Sequence, residues 1–201
     1  MNNNSQTLKP SNSQTQSADT VLMIEPIAFG FNEQTAVNNY FQVQQEGNVQ
    51  EKALQEFHSF VDKLRAKGIN VITIKDTIEP KTPDSIFPNN WVSFHADGKI
   101  VLYPMFAENR RLERREDIIN QIKEQFDVTE IIDYSKIENN QKYLEGTGSM
   151  IFDHDSKIAY GSVSLRLDEE LFRKFCAEFG FTPVVFHSYQ NAGEERLPIY
   201  H

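Results

Sequence analysis

The sequence predicts an α/β protein assembled from a repeated strand–strand–helix–strand unit. Three observations carry this. Apolar spacing alternates along the chain between the helical and the strand period, two separate stretches show the same order of elements, and the composition is that of a globular protein. Of 201 residues, 39% are hydrophobic and 24% charged, with a mean hydropathy of -0.53. That is enough apolar material for one sizeable core or two small ones.

The elements follow in order. Residues 1–19 are dominated by Asn, Gln, Ser and Thr and have almost nothing to bury, which predicts a disordered polar tail. An ordered domain is expected over 20–201. It opens with "VLMIEP" (Val21 to Pro26), a short buried strand closed by proline, followed by a loop, "IAFGFNEQTAVNN". Leu54, Phe57, Val61 and Leu64 recur at helical spacing and predict an amphipathic helix from about Val49 to Lys67, with Gly68 at its C-terminal stop. "INVITIKD" (Ile69 to Asp76) then reads as a strand.

The repeat comes next. "WVSFHADGKIVLYP" from Trp91 matches "SMIFDHDSKIAYGS" from Ser149 at an interval of 58 residues, aligning Phe94 with Phe152, Asp97 with Asp155, Lys99 with Lys157 and Ile100 with Ile158. Both stretches read as strand, tight turn, strand. A charged amphipathic helix follows each, with an apolar face of Ile118, Ile119, Ile122 and Phe126 in the first copy. In the second that face is Leu171, Phe172, Phe175, Cys176 and Phe179. Each copy closes on a strand, "FDVTEIIDYS" and "FGFTPVVFHS", 53 residues apart, and the extra residues of the first copy fall in the loop "MFAENRRLERR". Similar lead-ins, "SIFPNN" and "YLEGTG", introduce the two hairpins. The next lead-in is due near "LPIYH", so the chain is expected to stop where a further copy begins.

Composition narrows the function classes. A net charge of -9, from 29 acidic and 20 basic residues, argues against nucleic acid and against anionic membranes as partners. No apolar run reaches the ~20 residues of a membrane span. The N-terminus lacks the apolar core of a secretory signal, and one cysteine rules out a disulfide framework, so a cytoplasmic protein is expected. No P-loop, Gly-x-Gly-x-x-Gly, Gly-x-Ser-x-Gly or His-x-x-x-His pattern occurs, and no cofactor or metal is expected.

Candidate site residues cluster in three places. Asp84, Asn89 and Asn90 in "PDSIFPNNW" lead into a buried strand, where polar groups can orient a ligand, although Asp and Asn beside Pro also make ordinary turns. Glu145 precedes Gly-Thr-Gly, whose glycines let the backbone pass close to a ligand; a solvated loop glutamate is the plainer reading. Arg166 stands just before a helix capped by Asp168 and could hold a carboxylate bidentately, or simply sit on the surface. Cys176 lies on an apolar helix face among phenylalanines and reads as a core residue, whose thiol burial makes inert.

Taken together and in order, "FGFNEQTAVNNYFQ", "PDSIFPNNWVSFH", "LEGTGSMIFD" and "LPIYH" resemble the guanidino-group-modifying enzymes, the amidinotransferase or pentein superfamily. The closest likeness is to its citrulline-utilisation hydrolase, arginine-deiminase-related branch. The resemblance implies a five-bladed α/β propeller of strand–strand–helix–strand modules, about three of which this chain would supply. It also implies attack by a cysteine on the ureido or guanidino carbon of citrulline, arginine or a related amino acid, through a covalent intermediate. By the same resemblance His201 is the general acid and base, Asp84, Asn89, Asn90 and Glu145 bind the substrate, Arg166 binds its α-carboxylate, and the loop around Phe29 to Asn32 is a lid. Dimethylarginine hydrolases carry Glu-Asp where this chain has Asn89-Asn90, and a neutral amide suits a neutral ureido group, so a ureido substrate is expected. The family's nucleophile lies beyond its histidine. With Cys176 read as core, the chain is expected to lack the nucleophile and to be inactive alone. An arginine-deiminase or amidinotransferase fragment, or a non-catalytic propeller fragment binding a ligand or partner, are the alternatives. A partial propeller exposes apolar faces and sheet edges, which predicts self-association into a homo-oligomer.

Overall fold

The computed structural model describes residues 16–37, 43, 47–192 and 195–199. The first unit is β1 (Thr20–Glu25), a four-residue helix α1 (Glu33–Ala36), the long helix α2 (Val49–Ala66) and β2 (Asn70–Lys75). Strands β1 and β2 pair in parallel, from Thr20 against Asn70 to Glu25 against Lys75. A parallel pair needs a crossover, and α2 supplies it. Asn48 caps its start by accepting from the Glu51 N–H at 3.2 Å, and Gly68 leaves its end in the left-handed region at φ +85°. Only a narrow stripe of α2, centred on Phe57 and Val61, is buried, against Val71 with Val21 and Met23 beside it.

The second unit comprises β3 (Val92–Phe94), β4 (Lys99–Leu102), α3 (Glu116–Lys123) and β5 (Glu130–Asp133). The third begins with a single helical turn, α4 (Gly146–Ser149), and continues through β6 (Met150–Asp153), β7 (Ile158–Ser162), α5 (Glu169–Phe179) and β8 (Thr182–Phe186). Both units form a three-stranded sheet in sequence order, antiparallel across the hairpin and parallel across the helix crossover. The chain is thus a mixed α/β protein with repeated strand–strand–helix–strand units. The predicted cap of α5 is present: Asp168 accepts from the Leu171 N–H at 2.8 Å, and Gly180 closes the helix at φ +70°.

Helices α3 and α5 each fill the space between two sheets. Ile118, Ile119 and Ile122 of α3 form one buried cluster with Ile24 and Ile74 of the first sheet and with Val92 and Ile100 of the second, and Trp91 just before β3 joins it. Leu171, Phe172, Phe175 and Cys176 of α5 do the same between Val101 and Tyr103 on one side and Met150 and Ala159 on the other. A helix flanked by two sheets needs a wide apolar face, which explains why these two are apolar over more of their circumference than α2.

Three local features differ from expectation. The loop after β1 holds α1, which Asn32 caps by accepting from the Gln34 N–H. The hairpin register of the third unit is shifted by one residue: Phe94 pairs with Ile100, but Phe152 pairs with Ala159 rather than Ile158. The extra residue is absorbed at Lys157, which takes a left-handed conformation, φ +56°. Finally, β8 runs directly into β9 (Ser188–Ala192), which pairs antiparallel with β10 (Glu195–Ile199). The expected strand at "LPIYH" is therefore the second arm of a hairpin, and Tyr200 and His201 lie outside the described residues.

Candidate active site

The two lead-ins meet. Pro88–Asn90 forms one tight turn, fixed by Asn90 N–H to Phe87 C=O at 3.2 Å and Trp91 N–H to Pro88 C=O at 3.1 Å. Against it packs the Gly-Thr-Gly turn. A Cβ on Gly146 would lie 2.3 Å from the Asn89 carbonyl, and one on Gly148 2.2 Å from Asn90 Nδ2. Gly146 must be glycine because the two backbones approach more closely than any side chain permits, whereas at Gly148 a Cβ would displace the Asn90 amide.

Glu145 is therefore not a solvated loop residue. It is 1% exposed. One of its carboxylate oxygens accepts from the Phe106 N–H at 3.0 Å, and the other from Asn90 Nδ2 at 3.0 Å, with Arg166 Nη1 at 3.5 Å. Arg166 is likewise buried, not a surface residue. Its carbonyl accepts from the Glu145 N–H at 3.1 Å, and Leu144 bridges to Leu167, so segments 143–145 and 166–168 cross as an antiparallel contact that sets both side chains.

Asp84 is partly buried and holds a neighbouring cluster. Its Oδ2 accepts from Asn32 Nδ2 at 2.8 Å and from Thr35 Oγ1 at 2.9 Å, while Asn109 Nδ2 donates to Asn32 Oδ1 at 2.7 Å. The segment carrying α1 is thereby fastened to the 84–90 loop. Asn89, in contrast, is exposed, and contributes its carbonyl to the contact with Gly146.

Two charged residues at the site escaped the sequence reading. Arg110 and Glu113 are 2% and 3% exposed and form a bidentate pair at 2.8 and 2.9 Å. Arg110 also donates to the carbonyls of Asp84 and Phe87, at 3.3 and 3.1 Å, and so shapes the loop that carries Asn90. Burial works against the Arg110 charge, but Glu113 outweighs it and raises the guanidinium pKa, with Glu145 and Asp84 adding to the effect. Burial pushes the Glu113 carboxyl up while Arg110 pulls it down. These residues lie in "ENRRLERRE", a run whose charge density reads as a solvated loop; the i, i+3 spacing of Arg110 and Glu113 is the signal that marked them.

Three carboxylates, Asp84, Glu113 and Glu145, thus share their surroundings with two guanidiniums, Arg110 and Arg166. A separate depression of about 640 Å³, lined by Tyr143, Leu165, Leu167 and Asp168, includes neither Glu145 nor Arg166. Among the described residues, no group of three or more His, Cys, Asp and Glu could hold a metal ion, and no helix is long and apolar enough to cross a membrane.

The sequence profile of the eukaryotic N,N-dimethylarginine dimethylhydrolase family matches residues 25–201. The chain belongs to that family. It is a member of the guanidino-group-modifying, or pentein, superfamily, in the dimethylarginine hydrolase and arginine dihydrolase branch. Among solved structures, it is similar to the N-terminal domain of ArgZ, a cyanobacterial arginine dihydrolase, in a cysteine-to-serine variant bound to substrate. That likeness has a TM-score of 0.62 and 15% identity, over 86% of this chain and 58% of the other. It is also similar to a cysteine-to-serine variant of the dimethylarginine hydrolase of Pseudomonas aeruginosa in complex with citrulline, with a TM-score of 0.58 and 16% identity, over 83% and 60% of the two chains. At these identities the structural likeness establishes the fold. The chain spans less than two thirds of the length of either relative. No curated protein matches.

One expectation is corrected. In a family of cysteine-dependent hydrolases, this chain was expected to lack the nucleophile, Cys176 being read as a core residue, and to be inactive alone. It does carry a cysteine, Cys176, reduced and buried on α5, so neither statement stands. The reason for the error is physical: burial on an apolar helix face was taken to disqualify Cys176 as a nucleophile. Burial does push the Cys176 thiol up, to about 11, and Arg173 offsets this only in part.

Proposed function

We propose that this protein binds an amino acid bearing a guanidinium or ureido group, and that it belongs to an enzyme hydrolysing that group through a covalent cysteine intermediate, with His201 as general acid and base. The repeated units make up about three blades of a five-bladed propeller, with the module lead-ins gathered around the substrate. The observation that carries the reading is Glu145, a buried carboxylate fixed from three sides. Asp84 and Asn89 complete the substrate's surroundings, and Arg166 receives its α-carboxylate. Substrate and protein meet in the cytoplasm, without nucleic acid or membrane; a homo-oligomer covers the exposed sheet face.

The orientation of Asn90 revises the substrate preference. An ionised carboxylate can only accept, so the Asn90 amide must turn its NH₂ to Glu145. What remains for a ligand is the carbonyl oxygen, an acceptor, together with the second N–H of the amide. An acceptor beside a carboxylate suits the N–H-rich, positively charged guanidinium better than the carbonyl of a ureido group. Arginine-type substrates are therefore preferred over citrulline.

Calorimetric titration with arginine, dimethylarginine, citrulline and ornithine tests this. Arginine-type ligands should bind tightest, and Glu145→Gln should weaken them about 10- to 100-fold, the value of a charge-assisted hydrogen bond. Equal binding by Glu145→Gln, or binding of ornithine as tight as that of arginine, overturns the reading.

A further inference from the structure

The third sheet, in the order β6–β7–β8, has β6 at its edge. This strand reads "MIFD", and its Ile151 is 55% exposed, beside Tyr160 at 36% on β7. A sheet edge offers N–H and C=O groups to any further strand, and exposed apolar side chains beside it add to the attraction.

Gln16 sits on this edge. Its side-chain NH₂ donates to the Phe152 carbonyl, and its side-chain oxygen accepts from the His154 N–H, both at 2.8 Å. Alternate residues of a strand turn their backbone groups to the same side, so these two groups face outward together. In a parallel pair, a residue donates to the carbonyl just before its opposite number and accepts from the N–H just after it. The Gln16 carboxamide reproduces that pattern opposite Asp153. A primary amide can do so because it carries a donor and an acceptor side by side; a carboxylate has no N–H to give. A little further on, the Asp19 carbonyl accepts from the Asn70 N–H at 2.9 Å, extending the β1–β2 pair. The segment from Gln16 to Asp19 thus runs from the first sheet to the edge of the third.

We propose that Gln16 is an edge cap: it fills the strand-addition site of β6 with a side chain and so keeps a second copy of this chain from pairing there. A second copy fits the site because two β6 edges related by a two-fold axis are self-complementary and bring their exposed Ile151 side chains together. Both Gln16 bonds are exposed and join uncharged groups, so the cap is weak and reversible. The inference is independent of the proposed substrate and reaction.

The test compares the protein with Gln16→Ala and Gln16→Glu by sedimentation equilibrium and by amide hydrogen exchange at His154. At low concentration both variants should exchange the His154 N–H faster than the parent. Their self-association should be tighter by about 10-fold, the value of the two weak bonds that no longer compete. As concentration rises, the His154 amide of the variants should become protected again, which locates the new contact at this edge. Unchanged exchange at low concentration would mean that Gln16 does not hold the edge, and overturns the proposal. A lower melting temperature with unchanged association would make Gln16 a structural tie only, and overturns it too. So does tighter association without renewed protection of His154, which would place the contact on another surface.

Discussion

The second and third units share topology but not surroundings. In the second sheet the register aligns Ser93, Val101 and Ile132 in one row, and α5 covers it: Val101 is fully buried and Ile132 packs against the same cluster. The equivalent row of the third sheet is Ile151, Tyr160 and Val184, which are 55%, 36% and 39% exposed. Both sheets are covered on the other face by their own helix. The same strand pattern thus produces a core layer where a following helix exists and an open apolar row where none is described. What decides burial here is the next unit, not the strand itself.

The helix that creates the difference is α5, and Phe175 is its pivot. The ring is fully buried and lies 6.0 Å from Tyr103 and 6.5 Å from Tyr134 on the second unit, and 5.8 Å from Phe152 and 4.4 Å from Phe179 on the third. Removing it vacates both interfaces at once. Phe175→Ala should cost about 3–5 kcal/mol in urea unfolding. A loss below about 1 kcal/mol would mean that the two units are not held together through this helix.

The same comparison shows what the sequence could and could not reveal. The order of elements was legible, because apolar spacing at Ile118, Ile119 and Ile122, and again at Leu171, Phe172 and Phe175, is a local signal. The one-residue register shift was not: matching Lys99 to Lys157 and Ile100 to Ile158 looks consistent until Lys157 adopts its left-handed turn. The β9 strand, "SYQNA", has too little apolar alternation to stand out. At the site, Asn90, Glu145 and Arg166 were found as isolated candidates, but their burial was missed, since the partners of Glu145 lie 55, 39 and 21 residues away. Arg110 and Glu113 were hidden for the same reason, charged residues whose burial depends on a loop elsewhere in the chain.

Between the two hairpins sits His95, which should make the unit interface sensitive to acid. Its Nε2 is 2.9 Å from Ser93 Oγ, which is 2.7 Å from the buried Tyr103 hydroxyl, and its ring lies on Phe179 at 4.7 Å. Burial pulls its pKa down from 6.5 to about 4, with His154 and Lys99 acting in the same direction and Asp97 against them. Because the folded value is the lower one, the unfolded chain binds more protons between these limits. Stability is complete above pH 6.5 and is lost as pH falls toward 4, by up to on the order of 3 kcal/mol. Denaturation of the protein and of His95→Gln across this range measures it: the histidine's share of the pH slope should vanish in the variant. An unchanged slope would place the acid sensitivity elsewhere.

The smallest effect sharpens the comparison most. Val101 and Tyr160 occupy equivalent places in the two sheets, one covered and one open. Val101→Ser should lose about 2 kcal/mol or more, because it removes buried methyl groups and leaves a hydroxyl facing apolar side chains. Tyr160→Ser should change stability by only about 0.5 kcal/mol, as surface substitutions do. The two variants carry the same new residue at the same point of the same topology, so the difference between them isolates the contribution of the covering helix. Equal losses would show that something in the protein as expressed already covers Ile151, Tyr160 and Val184. A concentration-dependent loss at Tyr160 would identify that cover as a second copy of the chain.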